Sequence, residues 1–115
     1  MADLVQYILV RGDLKAFSAG ALMAQAAHAA TAALWASRDA PATLAYTASL
    51  ERMHKVVLKG ESEAALRAAA ARLAAAGVAH HLWLELPEAV PTALATAPAP
   101  RDAVKPHFAD FKLYR

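Results

Sequence analysis

Ser18-Ala-Gly-Ala-Leu-Met-Ala-Gln25-Ala-Ala-His28-Ala-Ala-Thr-Ala-Ala-Leu-Trp35-Ala-Ser37 is the stretch whose reading orders the rest of the chain. Nearly every residue is Ala, Leu or Met, the strongest helix formers. Ser18 can cap the start, its hydroxyl accepting from a first-turn amide. At about 100° per residue, Ala21, Gln25, His28, Ala32 and Trp35 fall on one stripe, with Met23, Ala27, Ala30 and Leu34 opposite. A helix apolar all round predicts burial. A polar pair on it then needs partners. Two readings stand: Gln25 and His28 as hydrogen-bonded core residues, or as the working groups of a site.

Upstream, Leu4–Arg11 is β-branched and apolar and predicts a buried strand that Gly12-Asp13 breaks. Downstream the helix fades at Ser37-Arg38-Asp39, and Pro41 opens a second, weaker helix to Arg52. His54–Lys59 is a strand ended by Gly60. Ser62 caps a helix over Ala64–Ala76, with Gly77 as its stop. His80–Leu86 and Thr92–Ala97 are the third and fourth strands, separated by Pro87-Glu88-Ala89-Val90-Pro91. Pro98-Ala99-Pro100 is not expected to continue a sheet. A short helix over Ala103–Phe108 and an extended piece at Phe111–Tyr114 follow. The order β-α-α-β-α-β-β-α predicts an α/β domain of three layers, a mixed four-stranded sheet flanked by helices. Its first two crossovers should be right-handed, and its last two strands should form an antiparallel hairpin.

The 115 residues predict one domain, 1–115, with a real core. The hydrophobic fraction of 58% is carried largely by alanine. No apolar run reaches the ~18 residues of a membrane helix. An acid at position 3 and no basic leader argue against a signal peptide. The absence of cysteine excludes a disulfide framework, thiolate catalysis and Cys-type zinc sites, and a cytoplasmic protein is the simplest expectation. A formal charge of +2 permits contact with nucleic acid without demanding it.

Beyond Gln25 and His28, Glu85 lies in Leu82-Trp83-Leu84-Glu85-Leu86, where Trp83 and Glu85 share one strand face. It reads as an exposed strand residue or as an acid aimed at a site. Asp13 and Lys15 either bind substrate or solvate their loop. Arg52, His54, Lys55 and Lys59, with Arg101 and Lys105, either contact phosphates or protect a sheet edge. His80 and His81 point to opposite strand faces and cannot share a metal. No phosphate-binding loop, GxGxxG or GxSxG motif is present.

Tyr7-Ile-Leu-Val-Arg11-Gly-Asp13-Leu-Lys15, Gly20-Ala-Leu-Met-Ala-Gln25-Ala-Ala-His28-Ala, His54-Lys-Val-Val-Leu-Lys59, Ala93-Leu-Ala-Thr-Ala-Pro98-Ala-Pro100 and Phe111-Lys-Leu-Tyr114, in this order, resemble the type 2 peptidyl-tRNA hydrolase family. Leu-Trp-Leu-Glu85-x-Pro-Glu is more similar to its divergent peptidyl-tRNA hydrolase domain-containing 1 subgroup. The resemblance implies a mixed four-stranded sheet between helices, usually in a homodimer. It implies hydrolysis of the ester between a peptide and the 3′ ribose of tRNA, with no metal or other cofactor, the water being activated by a His/acid pair in which Glu85 orients or shares a proton with His28. Gln25 and His28 match directly; Glu85 stands for the family's acid, and Thr92 for its loop threonine. Asp13, Lys15, Thr92 and Lys55 are the candidate contacts to peptidyl-tRNA or the tRNA acceptor end. There are two departures: Ala21 replaces the family's lysine, and the loop Leu86–Thr92 is short. The alternative is a weakly active or inactive tRNA-binding or protein-interaction module on the same fold.

Overall fold

A computed structural model describes residues 3–115. The chain starts with β1 (Leu4–Arg11), whose β-branched and leucine side chains are buried on both faces. It is followed by α1 (Ala19–Ala36), α2 (Pro41–Thr47), a 3₁₀ turn at Leu50–Arg52, β2 (Lys55–Gly60) and α3 (Glu63–Ala75). The hairpin β3 (His80–Glu85) and β4 (Val90–Thr96) comes next, then β5 (Ala99–Pro100), α4 (Arg101–Val104), a 3₁₀ turn at Lys105–Phe108 and β6 (Lys112–Leu113). The sheet order is β3-β4-β1-β2-β6, with β5 paired to the start of β1. β1 and β2 run parallel, while β4 is antiparallel to both β1 and β3.

The sheet therefore has six strands where the sequence predicts four. Both additions are two-residue pairings: β6 lies within the extended piece expected at Phe111–Tyr114, while β5 is too short for a periodic pattern to betray. Ala99-Pro100 does continue the sheet, against Val5 and Leu4. A pairing this short is carried by groups other than the proline nitrogen, which has no hydrogen to give. The predicted helix Pro41–Arg52 ends early at Thr47, whose hydroxyl donates back to the Thr43 carbonyl (2.8 Å), and Ser49 is extended. The last predicted helix starts earlier, at Arg101, and tightens into a 3₁₀ turn around Pro106.

Alternation along β1 divides the core. Val5, Tyr7 and Leu9 pack under α3 and α4 with Leu58, Leu66, Leu73, Leu94, Val104 and Phe108. Ile8 and Val10 face α1 through Ala29, Ala30, Ala33, Ala93 and Ala95. Ser18 and Ser62 cap α1 and α3, accepting from Ala21 N and Ala65 N at 3.1 Å. Burial of α1 is one-sided, contrary to the all-round expectation: Gln25, Ala29, Ala30 and Ala33 are buried, but Met23 is 71% and Trp35 67% exposed. One long helix has only one sheet to lie on.

Gly60 ends β2 where α3 comes closest. A Cβ there would sit 2.5 Å from Leu66 Cδ1 and 3.4 Å from Leu9 Cγ. Gly60→Ala is expected to cost about 1–3 kcal/mol through overpacking, read as a lower urea midpoint at unchanged slope.

Candidate functional site

The β3–β4 hairpin supplies half of the candidate site. Its pairing runs Trp83 to Ala93 and then Leu84 to Pro91, so Thr92 is passed over in a β-bulge. Ala93 and Ala95 face α1, so strict alternation would turn Thr92 to the opposite face. The bulge re-aims it. The fully buried Thr92 hydroxyl donates to Gln25 Oε1 at 2.7 Å.

Gln25 is 3% exposed, and its side chain is spent on two partners. It accepts from Thr92 and donates through Nε2 to Glu85 Oε2 at 3.2 Å. The other carboxylate oxygen, Oε1, accepts from the indole Nε1–H of Trp83 at 3.1 Å. The Trp83 ring in turn stacks on His28, with centroids 4.6 Å apart and planes 18° from parallel. His28 is solvent-exposed, one turn after Gln25 on α1. The order of contacts is Thr92, Gln25, Glu85, Trp83, His28: buried at one end and open to water at the other.

Glu85 and His28 thus meet through Trp83. The hydrogen bonds from Trp83, and after them Gln25, hold the Glu85 carboxyl below the ordinary carboxylate range, with a smaller contribution from the charge of His28. A depressed carboxyl adds stability that is complete above its unfolded value, near ~4.3, and is lost as pH falls through the folded value. Glu85→Gln is therefore expected to melt lower than wild type at neutral pH. The gap should narrow once pH drops below about 4, in thermal melts across pH.

Arg11 braces the same corner and is not singled out as a site residue by sequence. Its buried guanidinium binds both oxygens of Asp13 (Nε–Oδ1 2.9 Å, Nη2–Oδ2 2.8 Å) and donates from Nη1 to the Pro91 carbonyl at 3.1 Å. That bond fixes the residue before Thr92. The Arg11 guanidinium keeps the Asp13 carboxyl low, and Asp13 raises Arg11. Asp13 is thus bound to Arg11, while Lys15 is exposed two residues on. Ala21 lies one turn before Gln25 on α1 and is partly exposed.

Lys55 lies elsewhere. Its ammonium donates to Gln6 Oε1 and to the Tyr46 hydroxyl at 3.4 Å, at the opposite flank of α1 from Trp83. Burial pushes the Lys55 ammonium below its ordinary value and the Tyr46 phenol up to about 12. The structure brings Gln25, His28, Glu85 and Thr92 together, puts Asp13 beside them through Arg11, and leaves Lys55 out. Sequence reasoning missed the part played by Trp83. Its signal was the shared face of Trp83 and Glu85; for the bulge it was Pro91 inside a strand.

Among the described residues, no group of three or more His, Cys, Asp or Glu is placed to hold a metal ion, and no helix is long and apolar enough to cross a membrane. Residues 4–114 match the family described as "Peptidyl-tRNA hydrolase PTH2". The human (Homo sapiens) protein named "Putative peptidyl-tRNA hydrolase PTRHD1" is 45% identical over 116 residues, covering 97% of this chain and 83% of its own. The mouse (Mus musculus) protein of the same name is 44% identical over the same shares. Both the α/β architecture and a match spanning nearly every element point one way: the chain belongs to the type 2 peptidyl-tRNA hydrolase family.

Proposed function

We propose that this protein hydrolyses the ester joining a peptide to the 3′ ribose of tRNA, with His28 as general base and no metal. The observation that supports it most is the run of contacts from buried Thr92 to exposed His28, in a chain of this family. The imidazole edge is open to water. It takes a proton from a water attacking the ester carbonyl. The tetrahedral oxyanion then collapses, the bond to the 3′ oxygen breaks, and the imidazolium returns its proton to that oxygen. Glu85 holds the Trp83 indole, and the Trp83 ring orients the His28 imidazole by stacking on it. Gln25 positions Glu85 and is itself fixed by Thr92. Lys15, exposed in the loop before α1, is assigned to the tRNA phosphates or to the oxyanion.

The same reading carries the finer expectations: one domain over 1–115, a homodimer, and a cytoplasmic place of work. Its test is release of labelled peptide from peptidyl-tRNA by the purified protein. Release above the spontaneous rate, insensitive to chelator, supports it. No release sinks it.

Ala21 favours a second reading. It puts a methyl group where the family's lysine is expected, one turn before Gln25. Salt-dependent binding of tRNA without turnover would identify a tRNA-binding module.

A further inference from the structure

His28 is not the last exposed ring on its side of α1. Trp35 follows seven residues later, which returns to within about 20° of the same direction and about 10 Å further along the helix axis. It is 67% exposed, a large apolar surface for water to cover. The guanidinium of Arg38 lies 4.5 Å from its ring centroid and donates from Nη1 to the Trp35 carbonyl at 2.8 Å. At the inner end are the stacked His28 and Trp83, with His81 tilted 6.3 Å from Trp83. This flank thus carries an aromatic ring at each end, His28 with one face against Trp83 and Trp35 with Arg38 over its ring, and a cation at the outer end. The acids along it are Glu85, occupied by Trp83 and Gln25, and the exposed Asp39 beside Arg38.

Aromatic faces interleaved with a cation are what a single strand of nucleic acid needs: base faces stack on rings, and phosphates meet the charge. Stacked bases rise about 3.4 Å each, so about 10 Å spans roughly three nucleotides. That is the length of the terminal CCA, the last three of the four unpaired nucleotides of a tRNA. We propose that the α1 flank from His28 to Trp35 and Arg38 is the track for the single-stranded 3′ end of the tRNA, with Trp35 the outer stacking platform and Arg38 its phosphate contact. The proposal rests on the peptidyl-tRNA reading above and adds residues outside the hydrolytic group. It accounts for a tryptophan held in water near the end of α1 with a guanidinium over its ring. It also places the terminal ribose, which bears the ester, beside His28.

The test is binding, not turnover. Affinity is measured for an acceptor-stem minihelix ending in CCA and for the same minihelix without CCA, at fixed salt. The proteins are wild type, Trp35→Leu, Trp35→Phe and Arg38→Gln. Thermal melts confirm that each is folded. Wild type is expected to prefer the CCA end by about 10-fold or more. Trp35→Leu should lose that preference, and Trp35→Phe should keep most of it. Arg38→Gln should weaken both RNAs a few-fold and lower the salt slope by about one. Two results would overturn the track while leaving the peptidyl-tRNA reading intact: wild type binding both RNAs equally, or Trp35→Leu behaving as wild type. The second would mean that Trp35 and Arg38 only cap α1. If wild type binds neither RNA, the track and the reading beneath it fall together.

Discussion

His28→Ala is expected to lower peptide release by about 10²–10⁴-fold, the usual worth of a positioned general base. The change is clean. His28 is exposed at a helix surface, alanine is the best helix former, and the ring's packing partner Trp83 keeps its bond to Glu85. The loss should therefore fall on the chemical step, with the melting temperature moved little. Trp83→Phe tests whether the indole N–H matters to the site beyond the stacking face it offers His28. Phenylalanine preserves a face for stacking and deletes the indole N–H, leaving Glu85 with Gln25 alone. A modest loss with a shifted pH profile would place Trp83 as a positioning residue. If His28→Ala and wild type release peptide at the same rate, His28 is not the base.

The second large effect is on stability, and comes from Gln6. Its side chain is fully buried in the middle of β1. Nε2 donates to the carbonyls of Ala30 in α1 and Thr96 in β4, each at 3.0 Å, and Oε1 accepts from the ammonium of Lys55. Gln6→Leu keeps the volume and removes all three. Two buried carbonyls lose a partner, and an ammonium already disfavoured by burial loses an acceptor. The expected cost is about 3 kcal/mol, a large share of a total near ~5–15 kcal/mol. Urea melts of Gln6→Leu check it. A midpoint for Gln6→Leu within error of wild type would show that this polar seam carries no stability.

The main elements were legible because their signals are local. Leu4–Arg11 reads as a buried strand from its β-branched apolar run of typical strand length, and Ser18 and Ser62 announce the helices they cap. The alternation that puts Trp83 and Glu85 on one face also survives into the structure. What stayed hidden depends on distant partners. Ala99-Pro100 is a strand only because Leu4 and Val5 lie beside it. Gln6 sits in a hydrophobic strand, and nothing nearby in sequence shows that Ala30, Lys55 and Thr96 converge on it. Lys55 reads as a phosphate contact until Gln6 and Tyr46 claim it. The orientation of Thr92 depends on a bulge whose only trace is Pro91. The direct pairing of Glu85 with His28 that their chemistry suggests gives way to an indole between them, a detail that spacing cannot encode.

The alanines of α1 have a consequence beyond packing. Ala29, Ala30 and Ala33 are the buried apolar residues of α1 that meet the sheet, and Ala93 and Ala95 face them from β4. Methyl against methyl brings the helix axis as near to the sheet as side chains permit. Only at that spacing can one short glutamine arm reach a threonine and a glutamate on adjacent strands at once. The small residues act as a spacer gauge. Lengthening any of them would lift Gln25 off both partners without touching it, and the reach of the site would change through a residue that takes no part in its chemistry.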